Sequence, residues 1–256
     1  MNTQKTLMSM IVKEVYAKSI LSKSKVSDYT INPYVGCEHG CTYCYARFMK
    51  RWTGHKEEWG QFVDVKINAI DCLQHEIKKK RVGKIWISGV CDPYQPLEKK
   101  HKLTRSILKV LLKHDWPVTI QTKSPIVLRD VELLREFSDA EVGLTITTGD
   151  ENIGKIFEPN APPIKKRFEA VEKLHSFGIK TFVMIAPMLP KAESLVEQLS
   201  GKADYMLIDR MNYHYADWVY RRHKLEYAMN EKFFTQKKME LTNALKREKI
   251  HYQLLF

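Results

Sequence analysis

Six short runs rich in β-branched and aromatic residues are spread along this chain: "DYTIN" (28–32), "KIWISGV" (84–90), "PVTIQTK" (117–123), "EVGLTIT" (141–147), "IKTFVMIAP" (179–187) and "DYMLID" (204–209). Between them lie stretches of helical periodicity, "NAIDCLQHEIKKK", "LTRSILKVLLKH", "DVELLREF" and "IKKRFEAVEKLHSFG". In the last, Phe168, Val171 and Leu174 share one face and Gly178 supplies a C-terminal stop. Strands that are apolar almost throughout need cover on both faces, so the alternation predicts an α/β fold with a parallel sheet under helices. Six units in about 180 residues suit a partial (β/α)6 barrel better than the eight-fold form, which takes about 250. Residues 28–215 are then the core domain, 1–27 a segment leading into the barrel, and 216–256 a helical C-terminal extension.

In such folds ligands gather at the C-terminal ends of the strands. "GVCDPYQP", "QTKSP", "TITTGDE", "IAPMLP" and "IDRMN" all fall there, and "INPYVGCEHGCTYCYARF" (31–48) directly follows the first strand. That last stretch holds three of the five cysteines, Cys37, Cys41 and Cys44, with Gly36 and Gly40 allowing a tight loop. Soft thiolates this close together select zinc or an iron–sulfur cluster. Structural zinc wants four closed ligands, and a fourth would have to come from His39, His55 or a distant cysteine. A [4Fe–4S] cube held by three cysteines instead leaves one iron open to a ligand that is not protein.

Hydrophobic residues make up 44% and charged residues 28% of the chain, a balance that builds a folded core. No apolar run approaches the roughly 18–20 residues a membrane span needs. Lys13 and Glu14 interrupt the N-terminal apolar patch, which therefore reads poorly as a signal peptide. An odd number of cysteines, three of them clustered, argues against a secreted disulfide framework. The expected location is the cytoplasm, with no membrane partner. Lys and Arg outnumber Asp and Glu by 42 to 30, a formal charge of +12 that is compatible with attraction to nucleic acid.

The loop Cys37, Cys41, Tyr43, Cys44 resembles the hallmark of the radical S-adenosylmethionine (SAM) enzymes. The resemblance implies a [4Fe–4S] cluster whose open iron chelates SAM. An external one-electron reductant of the flavodoxin or ferredoxin kind then drives cleavage to methionine and a hydrogen-abstracting 5′-deoxyadenosyl radical. The segments "SGVCDPYQPLEKKHKLTR", "QTKSPIVLRDVELL", "IFEPNAPPIKKRFEAVEKLHSFGIK" and "IAPMLP" are similar to the branch containing spore photoproduct lyase, over roughly residues 20–190. That branch implies chemistry of the lyase and DNA-repair kind on a substrate the sequence does not identify, with nucleic acid the leading candidate partner.

Carried over position by position, the resemblance puts Tyr43 near the adenine and Lys123 at the SAM carboxylate, with a solvated surface lysine as the bland alternative. Thr145 would offer a hydroxyl to the ribose or methionyl end, Ala186 its backbone to the adenosine, and Asp92 its carboxylate near the SAM nitrogen. Cys91 could stand in for the hydrogen-donating cysteine of the lyase, which aligns with Gly89, and Tyr45 takes the place of a relay tyrosine. Cys72 reads as core. The tail "MNYHYADWVYRRHKLEYAMNEKFF" departs from the lyase. Its aromatics and Arg221, Arg222 and Lys224 could grip bases and phosphates, but Trp218, Leu225, Met229 and Phe233 at helical spacing favour an amphipathic helix facing the core. Two other readings stay open: the same chemistry on a peptide or small molecule, and a metal-stapled nucleic-acid-binding module without catalysis.

Overall fold

The computed structural model describes residues 10–256. Its strands, in chain order, are β1 (Ile11–Val15), β2 (Leu21–Lys23), β3 (Tyr29–Ile31), β4 (Tyr34–Val35), β5 (Phe62–Lys66), β6 (Ile85–Ile87), β7 (Val118–Thr122), β8 (Ala140–Thr145), β9 (Lys180–Ile185), β10 (Tyr205–Ile208) and β11 (His251–Leu254). The six strands read from the sequence are β3 and β6 to β10. They hydrogen-bond side by side in chain order, all parallel. Their apolar continuity is used on both faces: Ile85, Val118, Ile120, Val142, Leu144, Val183, Ile185 and Ile208 are all fully buried. The helices Ala69–Ile77, Leu103–Lys113 and Ile164–Ser176 cover the sheet through Leu73, Ile107, Leu111, Val171 and Leu174. Each such side chain contributes about 1.5–3 kcal/mol by leaving water. A partial barrel of parallel β/α units results.

Two additions lie outside the sequence reading. A second sheet forms in the order β1, β5, β4, with β1 parallel and β4 antiparallel to β5. The large sheet gains an edge at each end: β2 pairs antiparallel with β3, and β11 pairs parallel with β10. Within the expected lead-in of residues 1–27, Ile11–Val15 and Leu21–Lys23 each pair into a sheet, and residues 1–9 lie outside the described residues. Among the described residues no helix is long and apolar enough to cross a membrane.

The tail corrects one expectation. It is not one amphipathic helix but two, Asp217–Arg222 and Glu231–Arg247, broken at Lys224, whose φ of 56° no right-handed helix accommodates. Phe233 and Phe234 pack inward, and Leu225 and Met229 are half-buried against the core. Trp218 instead turns outward, 54% exposed. The break rotates the second half of the pattern out of register with the first.

Candidate functional site

The thiol loop leaves β4 and is fastened on every side. Gly36, at φ 89°, lies so close to β5 that a Cβ there would stand 2.3 Å from the Phe62 carbonyl oxygen. Gly60 touches the loop backbone as tightly: its Cβ would meet Gly40 Cα at 2.7 Å. The second sheet is thus a prop pressed against the loop, and glycine is the residue that permits the approach. From the other side the Thr42 N–H and hydroxyl both donate to the Phe157 carbonyl, at 2.8 and 3.1 Å. Gln95 accepts from the Glu38 N–H at 2.9 Å, and the Asn160 amide donates to the Glu38 carbonyl at 3.1 Å. Arg47 clamps the loop's end, its guanidinium donating to the carbonyls of Cys44, Cys41 and Thr42 at 3.2, 3.4 and 2.6 Å.

Cys37 and Cys41 are buried, Cys44 is half-buried, and none is in a disulfide. Burial pushes the Cys41 and Cys44 thiols up to about 11 and raises Cys37 as well. Metal binding here therefore displaces protons.

Asp92 follows β6 and receives four donors. Its carboxylate accepts from the Thr122 hydroxyl at 2.6 Å and from the backbone N–H groups of Lys123 and Tyr94 at 2.7 and 2.9 Å. The fourth is His39 Nδ1, 3.3 Å away. Burial works against its ionisation, but the His39 charge and these hydrogen bonds prevail and bring Asp92 down to about 2. Burial likewise opposes the charge on His39, and the carboxylate overcomes it, lifting the imidazole to about 10. Asp92 thus lies against His39 of the thiol loop, with its acceptor sites already engaged by protein.

Lys123 directly follows β7. It is not a solvated lysine: its side chain is 13% exposed and its ammonium lies 3.7 Å from Glu158 and over the Tyr43 ring, 5.6 Å from the centroid. Glu158 is the centre of a buried network that sequence reading missed. Its carboxylate accepts from the Tyr43 hydroxyl, from Thr147 at 3.2 Å and from Arg167 at 2.5 Å. Arg167 also donates to the Thr145 and Pro162 carbonyls, at 3.1 and 2.9 Å. Burial opposes the Glu158 charge, yet Arg167 and then Lys123 hold its carboxyl below the usual range. Burial likewise opposes the Lys123 charge, which the Cys41 thiol and Glu158 raise. Thr145 ends β8 and accepts from the Gln121 amide at 3.0 Å, and Ala186, half-buried, follows β9 at a cis bond to Pro187.

Cys91 lies beyond β6, and Tyr45 reaches the same segment from the end of the thiol loop. The Cys91 sulfur lies 2.9 Å from the Ser88 hydroxyl, packed against the second sheet's small core with Tyr34 and Val65. Burial raises its thiol to about 11. Tyr45 donates its hydroxyl to the Gly89 carbonyl. Cys72 is half-buried, with its thiol 3.4 Å from the Ala17 carbonyl, apart from the loop.

Do these residues fit a cluster held by three thiolates? Of the two histidines that could have completed a zinc site, only His55 is engaged at both ring nitrogens. His55 is held between Asp64, 2.8 Å from Nε2, and Glu57, 2.9 Å from Nδ1; His39 is held by Asp92. His39 Nε2 is buried without a hydrogen-bond partner, and the Cys37 thiol is, with Asp92, the group whose charge acts on that ring. A soft three-thiolate donor set with a spare buried donor and the Lys123 cation close by fits an anionic iron–sulfur cluster.

The family model of the radical SAM superfamily matches residues 31–197. The uncharacterized protein MJ0683 of Methanocaldococcus jannaschii is 35% identical over 93% of this chain and 94% of its own length. Spore photoproduct lyase, in complex with dinucleoside spore photoproduct, superposes with a TM-score of 0.68 at 15% identity, over 96% of this chain and 82% of the lyase. Streptococcus suis SuiB, bound to its precursor peptide SuiA, gives 0.56 at 12% identity, over 97% of this chain and 49% of SuiB.

Proposed function

The chain belongs to the radical SAM superfamily, and from that membership we propose that it is a [4Fe–4S]-dependent enzyme, similar to spore photoproduct lyase, that takes hydrogen from a nucleic-acid substrate. The observation that carries the reading is the set of side chains at the C-terminal ends of consecutive parallel strands: the thiol loop after β3 and β4, Asp92 after β6, Lys123 after β7, Thr145 ending β8 and Ala186 after β9. Cys37, Cys41 and Cys44 are the proposed iron ligands, and Tyr43, Asp92, Lys123, Thr145 and Ala186 the proposed SAM contacts. When bound, the cluster and SAM supply the one-electron cleavage that yields the 5′-deoxyadenosyl radical.

The chain's own residues do the rest. Glu158 and Arg167 fix Tyr43 and Lys123, so that the ring and the ammonium present a single geometry to the nucleoside. Asp92 fixes the backbone at the start of the segment after β7, through the Lys123 N–H. Cys91 is the proposed hydrogen donor to the substrate radical and Tyr45 its proposed relay partner; the Tyr45 bond to Gly89 supports their adjacency. The formal charge of +12 favours an anionic substrate.

The test is anaerobic reconstitution followed by incubation with SAM and dithionite, and 5′-deoxyadenosine is scored with and without single-stranded DNA. A brown protein that bleaches on reduction and releases 5′-deoxyadenosine is expected, as is DNA affinity whose logarithm falls linearly with the logarithm of salt. A colourless protein carrying one zinc would instead indicate a metal-stapled module. Turnover stimulated by peptide and indifferent to DNA would move the substrate to the peptide class.

A further inference from the structure

A row of aromatic rings lies beside the thiol loop, beginning one residue after its last cysteine. Trp52 meets Phe48 edge-on at 5.7 Å, Phe48 stacks with Tyr45 at 6.3 Å, and Tyr45 stacks with Tyr213 at 6.0 Å. Tyr213 stacks with Tyr215 at 5.9 Å, and the Arg47 guanidinium caps Tyr215 at 4.7 Å. The four planes from Phe48 through Tyr45 and Tyr213 to Tyr215 are within 16–22° of their neighbours. Packing into the core does not explain the row, because Trp52 is 70%, Tyr213 50% and Tyr45 44% exposed. Between Tyr45 and Lys56 the sequence "YARFMKRWTGHK" carries Arg47, Lys50, Arg51 and Lys56 and no acidic residue. Among the described residues none of these four is in a salt bridge with a carboxylate.

We propose that this row is a stacking platform for unpaired nucleotides, which delivers a single-stranded segment to the thiol loop; it rests on the nucleic-acid reading above and names the form of the substrate. Bases offer a π-face whatever their sequence, and cationic side chains beside the rings meet the phosphates. A duplex hides those faces in its own stack, so the platform discriminates strandedness rather than sequence. Arg47 joins the two functions, because the guanidinium that caps Tyr215 also holds the three carbonyls of the thiol loop.

Fluorescence anisotropy of a labelled oligothymidylate against reconstituted protein at low salt tests this, with the matching duplex as comparison. The single strand is expected to bind tighter, to quench Trp52 fluorescence, and to lose about tenfold in affinity in each of Trp52→Ala and Tyr213→Ala, with Tyr213→Phe near wild type. Unstimulated 5′-deoxyadenosine formation is expected to be unchanged in all three, so loss of binding is distinguishable from loss of the cluster chemistry. Equal affinity of wild type and both alanine variants, preference for the duplex, or no binding to the strand overturns the proposal.

Discussion

Cys41→Ala protein, reconstituted with iron and sulfide without oxygen, should form no 5′-deoxyadenosine above the uncatalysed background, and its visible absorbance should be mostly lost. The reason lies in the loop's construction. Cys37, Cys41 and Cys44 are carried by a backbone that Phe62, Gly60, Phe157 and Arg47 hold from different directions, so the two remaining thiols cannot shift to make good the loss of the third. His55 is engaged at both ring nitrogens by Glu57 and Asp64, and His39 at Nδ1 by Asp92. Cys72, bonded to the Ala17 carbonyl elsewhere, is the control: Cys72→Ala should keep iron content and activity. Persistent 5′-deoxyadenosine from Cys41→Ala would remove that cysteine from the ligand set.

Arg167→Met is expected to be the most destabilising single change outside the loop, by about 3–5 kcal/mol in urea unfolding at pH 7, because it strands a buried carboxylate. Against a total stability of about 5–15 kcal/mol that loss is severe. Glu158 would retain only Lys123 as counter-charge, at 3.7 Å. The pH dependence has a definite sign. The folded Glu158 carboxyl sits below its usual value, burial notwithstanding, because of Arg167 and Lys123. Its stabilisation is therefore complete above the unfolded carboxyl pKa, about 4.3, and is lost as pH falls through the lower folded value. Without Arg167 that loss should begin at higher pH. Adding Glu158→Gln should restore part of the stability of Arg167→Met, since the uncompensated charge goes with it. A cost under about 1 kcal/mol, typical of an exposed pair, would show that the network carries little.

The sheet was legible because its signal is local. Runs such as "PVTIQTK" and "IKTFVMIAP" are apolar on both faces, and only a covered parallel strand uses such a run. The strands that were missed lack that signature. β5 places Asp64 among its valines, a residue that belongs in a buried strand only because His55 pairs with it. β4 has two residues, and β11 alternates exposed and half-buried positions at the sheet's edge. The thiol loop was legible for the same local reason, since its three cysteines lie within eight residues. His39, Glu158 and Arg167 were not. Charged residues default to the surface, and what buries these is a set of partners drawn from Tyr43, Asp92, Lys123 and Thr147, scattered along the chain. "FEPNAPPIKKR" held the one available hint, a glutamate and an arginine nine residues apart across a proline-rich turn. Trp218 failed in the opposite direction: periodicity across 218–233 assumed an unbroken helix, and Lys224 breaks it.

One fastening has a consequence for how the protein is made. Thr42 is tied to Phe157, 115 residues later in the chain. At about 5–20 residues per second, that separation is on the order of 6–23 s of translation. A ribosome therefore exposes all three cysteines well before it has produced the wall that closes over them. Assembly of the proposed cluster then belongs to the finished polypeptide, and the nascent one spends that interval with its thiols open to oxidants and adventitious metals.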